Sequence, residues 1–249
     1  MIYGNQGSEI KLTANIPEDS LQALIDPWWI KTEDHRLQKG ALVYTHVPFF
    51  DCTPLTLEPI GRTNPIDHKE AEIKIKQLRI GDVTRRSPLP VAALSLNKNE
   101  YWRAFKSKLR PCLVMTNAGF NIPQEITQNC SQSKFQDTVL IAPFYGSKKR
   151  NGKREGFPEA FVERVRQCEY PQFLWDFLPV LNGEESILRM DQLQPLGTHH
   201  QTFRHSGWQL SNEALDAITQ HLNWRINGSF DPNSLFAAFK EEMYTTFQN

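Results

Sequence analysis

Lys108-Leu109-Arg110-Pro111-Cys112-Leu113-Val114-Met115-Thr116-Asn117 is the stretch on which the fold turns. Cys112 to Met115 form an unbroken apolar run, opened by a proline and closed by polar residues. A run this short, apolar at every position, is the pattern of a central strand covered on both faces. Thr138-Val139-Leu140-Ile141-Ala142-Pro143-Phe144 repeats that character. Residues 117–136 between them are rich in Asn, Gln and Ser and read as a connecting loop. Upstream, residues 41–49 are β-branched and aromatic enough for a strand, stopped by Asp51 and Pro54. Residues 51–69 hold Pro54, Pro59 and Pro65 and read as loop. Residues 72–80 set Ile73 and Ile75 on one face with lysines opposite, which predicts a half-buried strand. Residues 91–96 are a further short strand candidate.

Downstream, a helix fits residues 158–167, with Phe161, Val162 and Val165 on one face. Residues 172–180 and 186–193 read as strands joined by a turn at Asn182-Gly183. A helix is expected from residue 211 to 222. Ser211 is its cap, Leu210 and Leu215 stand at staple positions, and Leu215, Ile218 and Leu222 make its apolar stripe. Asp231-Pro232 opens a last helix with Leu235, Phe236, Phe239 and Met243 on its apolar face. Residues 1–38 read as an N-terminal extension: a short helix near 17–25, a stop at Asp26-Pro27, then exposed-looking Trp28-Trp29-Ile30. Two adjacent indoles carry a large apolar area, and packing on the main body is the expected cover. Short strands, late helices and no βαβ alternation indicate a mainly β fold with α (α+β), a small barrel decorated with helices.

A chain of 249 residues with 39% hydrophobic content can bury a sizeable core. No apolar run approaches the ~18 residues that cross a bilayer. The first residues lack a basic region followed by an apolar one, so no secretory signal is expected. Cys52, Cys112, Cys130 and Cys168 lie far apart, with no Cys-x-x-Cys pair and no His at ligand spacing. Free thiols and a reducing, cytoplasmic location are the expectation, and no metal or cofactor is implied. No P-loop or Gly-x-Ser-x-Gly elbow is present in the sequence. The net charge of zero hides an uneven distribution: residues 101–154 hold ten Lys/Arg against Glu125 and Asp137, a net +8, whereas residues 1–39 carry −2 and residues 210–249 carry −3. A basic field confined to one stretch of a neutral molecule points to a polyanion held at one site.

Three stretches, in order, resemble the PemK/MazF family of toxin ribonucleases. They are residues 108–117, with Arg110-Pro111 leading into the apolar strand; residues 138–144, similar to the family strand ending in Val-Ala-Pro-Ile; and Ser186-Ile187-Leu188-Arg189-Met190-Asp191-Gln192-Leu193, similar to its Ser-x-φ-Arg-x-Asp-Gln-φ segment. The helix at 211–222 falls where that family has its final helix. The resemblance implies a small SH3-like PemK/MazF-type barrel over residues 39–226, with a long insertion at 51–107, decorating helices and a C-terminal helix at 227–249. It implies a homodimer, an antitoxin protein as partner, and RNA as substrate. Such a barrel opens on a Lys/Arg-Gly motif. Lys39-Gly40-Ala41-Leu42-Val43 is preferred over Ile80-Gly81-Asp82-Val83, because a strand follows it directly whereas Pro88 interrupts the second.

Metal-free RNA cleavage by the neighbouring 2′-hydroxyl needs a proton taken, a proton given and charge on phosphorus neutralised. A guanidinium suits the last task because its fork of donors matches phosphate oxygens and stays charged. The resemblance places the catalytic arginine on Arg110. Where the family carries a Thr or Ser after its third strand, this chain has Tyr145, followed by Gly146 and Ser147. Tyr145 and Ser147 are therefore the candidate proton-transfer groups. Lys108, Lys148, Lys149, Arg150, Lys153 and Arg154 are the expected RNA-phosphate contacts. Tyr101, Trp102 and Phe105 are of a type that stacks bases. His199, His200 and His205 titrate near neutrality but sit in a stretch read as exposed loop. The expected activity is a metal-independent endoribonuclease acting on single-stranded RNA. The alternative is a non-catalytic RNA- or protein-binding module on the same barrel.

Overall fold

The structure is a computed structural model and describes residues 16–64, 66–67, 69–79, 100–119, 122–123, 125–130, 135–148, 156–180 and 183–246. Among the described residues, eleven strands and three α-helices follow in chain order. They are β1 (Trp29–Lys31), β2 (Ala41–Pro48), β3 (Leu55–Gly61), β4 (Glu72–Gln77), β5 (Arg103–Ala104), β6 (Ser107–Val114), β7 (Thr138–Gly146), α1 (Glu159–Arg166), β8 (Phe173–Leu178), β9 (Glu184–Arg189), β10 (Gln194–Gly197), β11 (Phe203–Leu210), α2 (Asn212–Asn227) and α3 (Leu235–Thr246). The chain divides into two compact units, Met1–Thr45 with Leu109–Asn249, and His46–Lys108.

The first unit is built on an eight-stranded sheet in the order β1-β11-β2-β6-β7-β9-β8, with β10 added to β7. Its recorded pairings are antiparallel, among them Leu113 opposite Ala142, Phe144 opposite Leu188, and Leu174 opposite Leu188. That register aligns these five side chains on one face, where they join Leu42 in the main core. The fold class read from sequence, mainly β with α, holds in this coarse form. The strands containing Leu113, Leu140, Trp175 and Leu188 belong to one curled antiparallel sheet, and the helix after Ser211 covers it. Ser211 caps α2 by accepting the Ala214 N–H, and Gly228 ends it at φ +71°, a left-handed conformation that favours glycine. The buried stripe of α2 is Ala214, Ala217, Ile218 and His221. Leu215 and Leu222, expected in that stripe, are only partly buried beside it. Small residues let the helix approach the sheet closely, a packing choice that hydropathy does not weight. Phe236 and Phe239 of α3 complete the core.

The second unit holds the three-stranded sheet β4-β3-β5. The reading of residues 51–69 as loop is corrected here: β3 pairs with β4 from Leu55 to Gly61, with a register shift between Pro59 and Gly61. A bulge accommodates Pro59, which has no N–H to give the ladder. The half-buried face expected for β4 is also corrected, because Ile73 and Ile75 are 42% and 62% exposed. Glu58 and Lys76 form an ion pair on the opposite side of these strands. The strand expected at residues 91–96 and the alternative barrel opening at residues 80–83 lie outside the described residues.

Three further corrections concern the first unit. The helix expected near residues 17–25 is a single 3-10 turn at Leu21–Leu24. The strand expected at 186–193 ends at Arg189 and continues as a 3-10 turn over Met190–Gln192. The stretch read as an exposed loop carrying His205 is β11, paired with β2 from Phe203 opposite Thr45 to Gln209 opposite Ala41 around a bulge. Its polar composition, Arg204-His205-Ser206-Gly207, hid a strand whose order comes from its neighbours on both sides.

The two margins of the main sheet are β1 and β8, and side chains join them. Asp176 of β8 is fully buried and accepts the indole N–H of Trp28 on one oxygen and of Trp29 on the other, each at 2.9 Å. Gln22 extends the closure by pairing with the free edge of β8: its amide N–H donates to the Phe177 carbonyl (3.2 Å), and its oxygen accepts the Phe177 N–H (2.7 Å). The tryptophans are thus buried in the main core, the cover expected for them. Burial pushes the Asp176 carboxyl up to about 7, against the opposing pull of the two indole donors. A carboxyl raised in the folded state favours folding most fully below its unfolded pKa of about 4, and that contribution is lost as pH rises towards 7. The shift corresponds to an effect on the order of a few kcal/mol. Urea unfolding of wild type and Asp176→Asn between about pH 4 and 8 is the check. The stability of wild type relative to the variant is expected to fall across this window, and parallel curves would show that Asp176 is not a buried acid.

Candidate functional site

Arg110, Tyr145 and Arg189 come from three adjacent strands, β6, β7 and β9. Cys112 is opposite Pro143, so continuing that antiparallel register by two residues brings Arg110 opposite Tyr145 on the same face. Tyr145 in turn pairs with Ile187, and Arg189 follows two residues later, again on that face. The Arg110 guanidinium lies 3.6 Å from the centre of the Tyr145 ring, and the Arg189 guanidinium lies 5.3 Å from it. Both are within the range in which a cation is held by a ring quadrupole.

The 3-10 turn after β9 completes the cluster. Asp191 grips Arg189 through two short contacts, 2.7 Å from Nε and 2.6 Å from a terminal nitrogen. Such a bidentate fork fixes the plane of the guanidinium as well as its position. Gln192 accepts the Tyr145 hydroxyl proton at 2.6 Å on Oε1. Arg189 also sits 5.1 Å from the Phe173 ring, between two aromatic groups. Arg110 is 6% exposed, so its guanidinium is part of the packing as well as a charge.

The remaining candidates fall in several places. Ser147 is buried, and its hydroxyl lies 3.2 Å from both the backbone carbonyl and the carboxylate of Glu185. Lys148 reaches the same carboxylate at 3.2 Å, with its side chain 78% exposed. Lys108 is exposed on β6. Lys149, Arg150, Lys153 and Arg154 lie outside the described residues. Of the aromatic candidates, Phe105 carries the Arg103 guanidinium at 4.5 Å and meets Phe50 edge-on at 5.3 Å, while Trp102 is 41% exposed. His199 and His200 meet with tilted rings, 4.3 Å between centres, in an exposed turn. His205 is held below its ordinary pKa by burial and then by His35, and its Nδ1 accepts the Gly207 N–H at 3.0 Å. The Cys112 thiol is buried, which pushes its pKa up and leaves it a packing group.

Arg189, Asp191 and Gln192 were not singled out from the sequence as site residues, although they stand inside the motif Arg189-Met190-Asp191-Gln192. The available signal was spacing. An arginine ending a strand and a glutamine three residues on, across a tight turn, return to the same side of the chain. What they return to is Tyr145, and only the strand order shows that. Among known proteins, no family model, no curated protein and no solved structure matches this chain.

The arrangement offers two guanidiniums around one phenol whose proton is directed at an amide oxygen. Arg189 already holds the Asp191 carboxylate, and the tyrosine oxygen, its proton directed at Gln192, can act as an acceptor. Tyr145→Phe and Gln192→Leu, made singly and together, test the central bond. A coupling energy of about 1 kcal/mol in urea unfolding is expected, and strict additivity would show that the bond does not form in solution.

Proposed function

We propose that this chain is a metal-independent endoribonuclease of the PemK/MazF type, cutting single-stranded RNA in the cytoplasm from a small SH3-like barrel. One observation carries the proposal: Arg110 and the Arg189 to Gln192 run come from two of the stretches that resemble the family, Tyr145 directly follows the third, and the side chains meet at a single ring. In the proposed reaction the 2′-hydroxyl gives its proton to solvent water and its oxygen bonds to phosphorus. The bond from phosphorus to the 5′-oxygen breaks as that oxygen gains a proton, leaving a 2′,3′-cyclic phosphate and a 5′-hydroxyl. Arg110 and Arg189 would stabilise the charge that builds on the phosphate oxygens. Tyr145 takes the place of the family's Thr or Ser, and to act as proton donor its hydroxyl must turn away from Gln192. Lys108 and Lys148, with Lys149, Arg150, Lys153 and Arg154, would follow the flanking phosphates. A homodimer and a restraining antitoxin protein belong to the same proposal.

A second reading has its own support. The Tyr145 hydroxyl is engaged by Gln192 and the Ser147 hydroxyl by Glu185, so both candidate proton-transfer groups have structural duties. A non-catalytic module that binds RNA would retain the guanidiniums and need no free hydroxyl.

Incubation of the full chain with a mixed RNA pool in EDTA, followed by end-group analysis, separates the two. Cyclic-phosphate and 5′-hydroxyl ends are expected. Arg110→Ala is expected to lose on the order of 10²–10³ in rate, and Arg110→Lys to rescue poorly because a point charge cannot reproduce the fork. Because Arg110 is buried, thermal melting of each variant accompanies the assay. Salt-sensitive RNA binding without any cleavage would leave the binding module, and neither binding nor cleavage would end both readings.

A further inference from the structure

A cavity of about 120 Å3 is walled in part by the segment that closes the main sheet. Its lining includes four aromatic side chains, Trp28, Trp29, Phe177 and Trp208, with Gln22 and Asp26 beside them. Trp28 and Trp29 are buried while Phe177 and Trp208 are half-buried, so the wall spans from the edge of the core to the surface. Strand pairing accounts for part of this gathering. Trp29 is opposite Leu210 in the β1–β11 ladder, which puts Trp208 two residues along on the same face. The volume is far below the ~300–1,000 Å3 of sites that take a drug-sized molecule, and it suits one compact head group.

Several polar groups of this wall are already in use. The indole N–H groups of Trp28 and Trp29 are held by Asp176, and both ends of the Gln22 amide bond the Phe177 backbone. Those bonds fix the two indoles and leave ring surface, rather than N–H, for whatever enters. Asp26 differs: its carboxylate is exposed, and among the described residues it makes no hydrogen bond or ion pair. Lys31 lies outside the lining, with Nζ 5.5 Å from the centre of the Trp208 ring. That is close to the ~6 Å limit of cation–ring attraction, so the ring is not committed to it. Electron-rich ring surface beside an uncommitted carboxylate selects positive charge. An N-methylated ammonium suits it best, because its charge is spread over methyl groups that need apolar contact and no hydrogen-bond acceptor. A plain ammonium would forfeit hydration that this wall cannot replace.

We propose that this cavity is an aromatic cage that binds a quaternary methylammonium group, as carried by choline or by trimethylated lysine. The methyl groups pack on the rings of Trp28, Trp29, Phe177 and Trp208, and Asp26 supplies the counter-charge. A phosphate chain would meet that carboxylate and the negative faces of the rings, so this site does not rest on the RNA reading.

The test titrates the full chain with choline, with a short peptide carrying one trimethyllysine, and with dimethylbutanol, the neutral carbon isostere of choline. Calorimetry at constant ionic strength is the readout. Binding of choline or of the methylated peptide is expected, and the tighter of the two names the carrier. The alcohol, and the same peptide with unmodified lysine, are each expected to bind at least about tenfold more weakly than their methylated counterparts. Trp208→Leu keeps apolar bulk but removes the ring, and Asp26→Asn removes the exposed charge. The first is expected to weaken binding about tenfold and the second about threefold, the second loss fading as salt rises. Melting curves accompany both variants, and the comparison with the alcohol on wild type stands even if Trp208→Leu does not fold. Absence of binding by both cations up to about 10 mM, equal binding of the alcohol or of the unmodified peptide, or unchanged affinity in both variants would overturn the proposal.

Discussion

Asp176 accepts two indole N–H groups in a site from which water is excluded, and the closure of the main sheet depends on it. The sheet has two margins, β1 and β8, and an open margin presents unpaired backbone groups. Short β1 cannot cover β8 by backbone pairing. The carboxylate draws the adjacent tryptophans across instead, and Gln22 imitates a strand against Phe177. Two apolar rings then fill the gap between the margins and pack on Phe144 and its neighbours. The arrangement costs a desolvated carboxyl, and its two donors offset part of that cost. The segment ahead of β2, which reads as an appendage, supplies both the missing edge and the lock.

The same sheet order assembles the candidate site. β6, β7 and β9 are neighbours, so one residue from each meets at Tyr145. A ring flanked by guanidiniums is a stable packing unit as well as a pair of charges, and Arg110 is buried enough to serve as both. The tyrosine at this position brings bulk that the arginines can stack on. It also creates a need for an acceptor, which Gln192 meets. The chemistry and the packing at this position are therefore linked: a change to either arginine alters the tyrosine's surroundings as well as the charge.

Much of the architecture could be read along the chain. The buried strands β6 and β7 announce themselves by continuous apolar runs, and α2 by its cap and spacing, because these signals are local. β3 was hidden by its prolines and β11 by its polar residues. Both are strands because of what lies beside them, and a bulge absorbs what their composition would forbid. Within the site, Arg110 was singled out by the resemblance of residues 108–117 and by the basic stretch it belongs to. Arg189, Asp191 and Gln192 were legible only as letters of a motif, since nothing in residues 186–193 says which ring they face.

The sequence by itself determined the class of structure, the identity of the core strands, the concentration of positive charge in residues 101–154, and the presence of a tyrosine at position 145. These are properties of composition and of spacing over a few residues, and side-chain hydrophobicity decides them locally. The tertiary structure alone decided that Trp28 and Trp29 meet Asp176 almost 150 residues away, as the separations of 148 and 147 show. It alone decided that Tyr145 stands between two arginines, and that Trp28, Trp29 and Trp208 line one cavity. Contacts of that range depend on strand order and on the curl of the sheet. Those follow from the simultaneous packing of the whole unit rather than from any window of the chain.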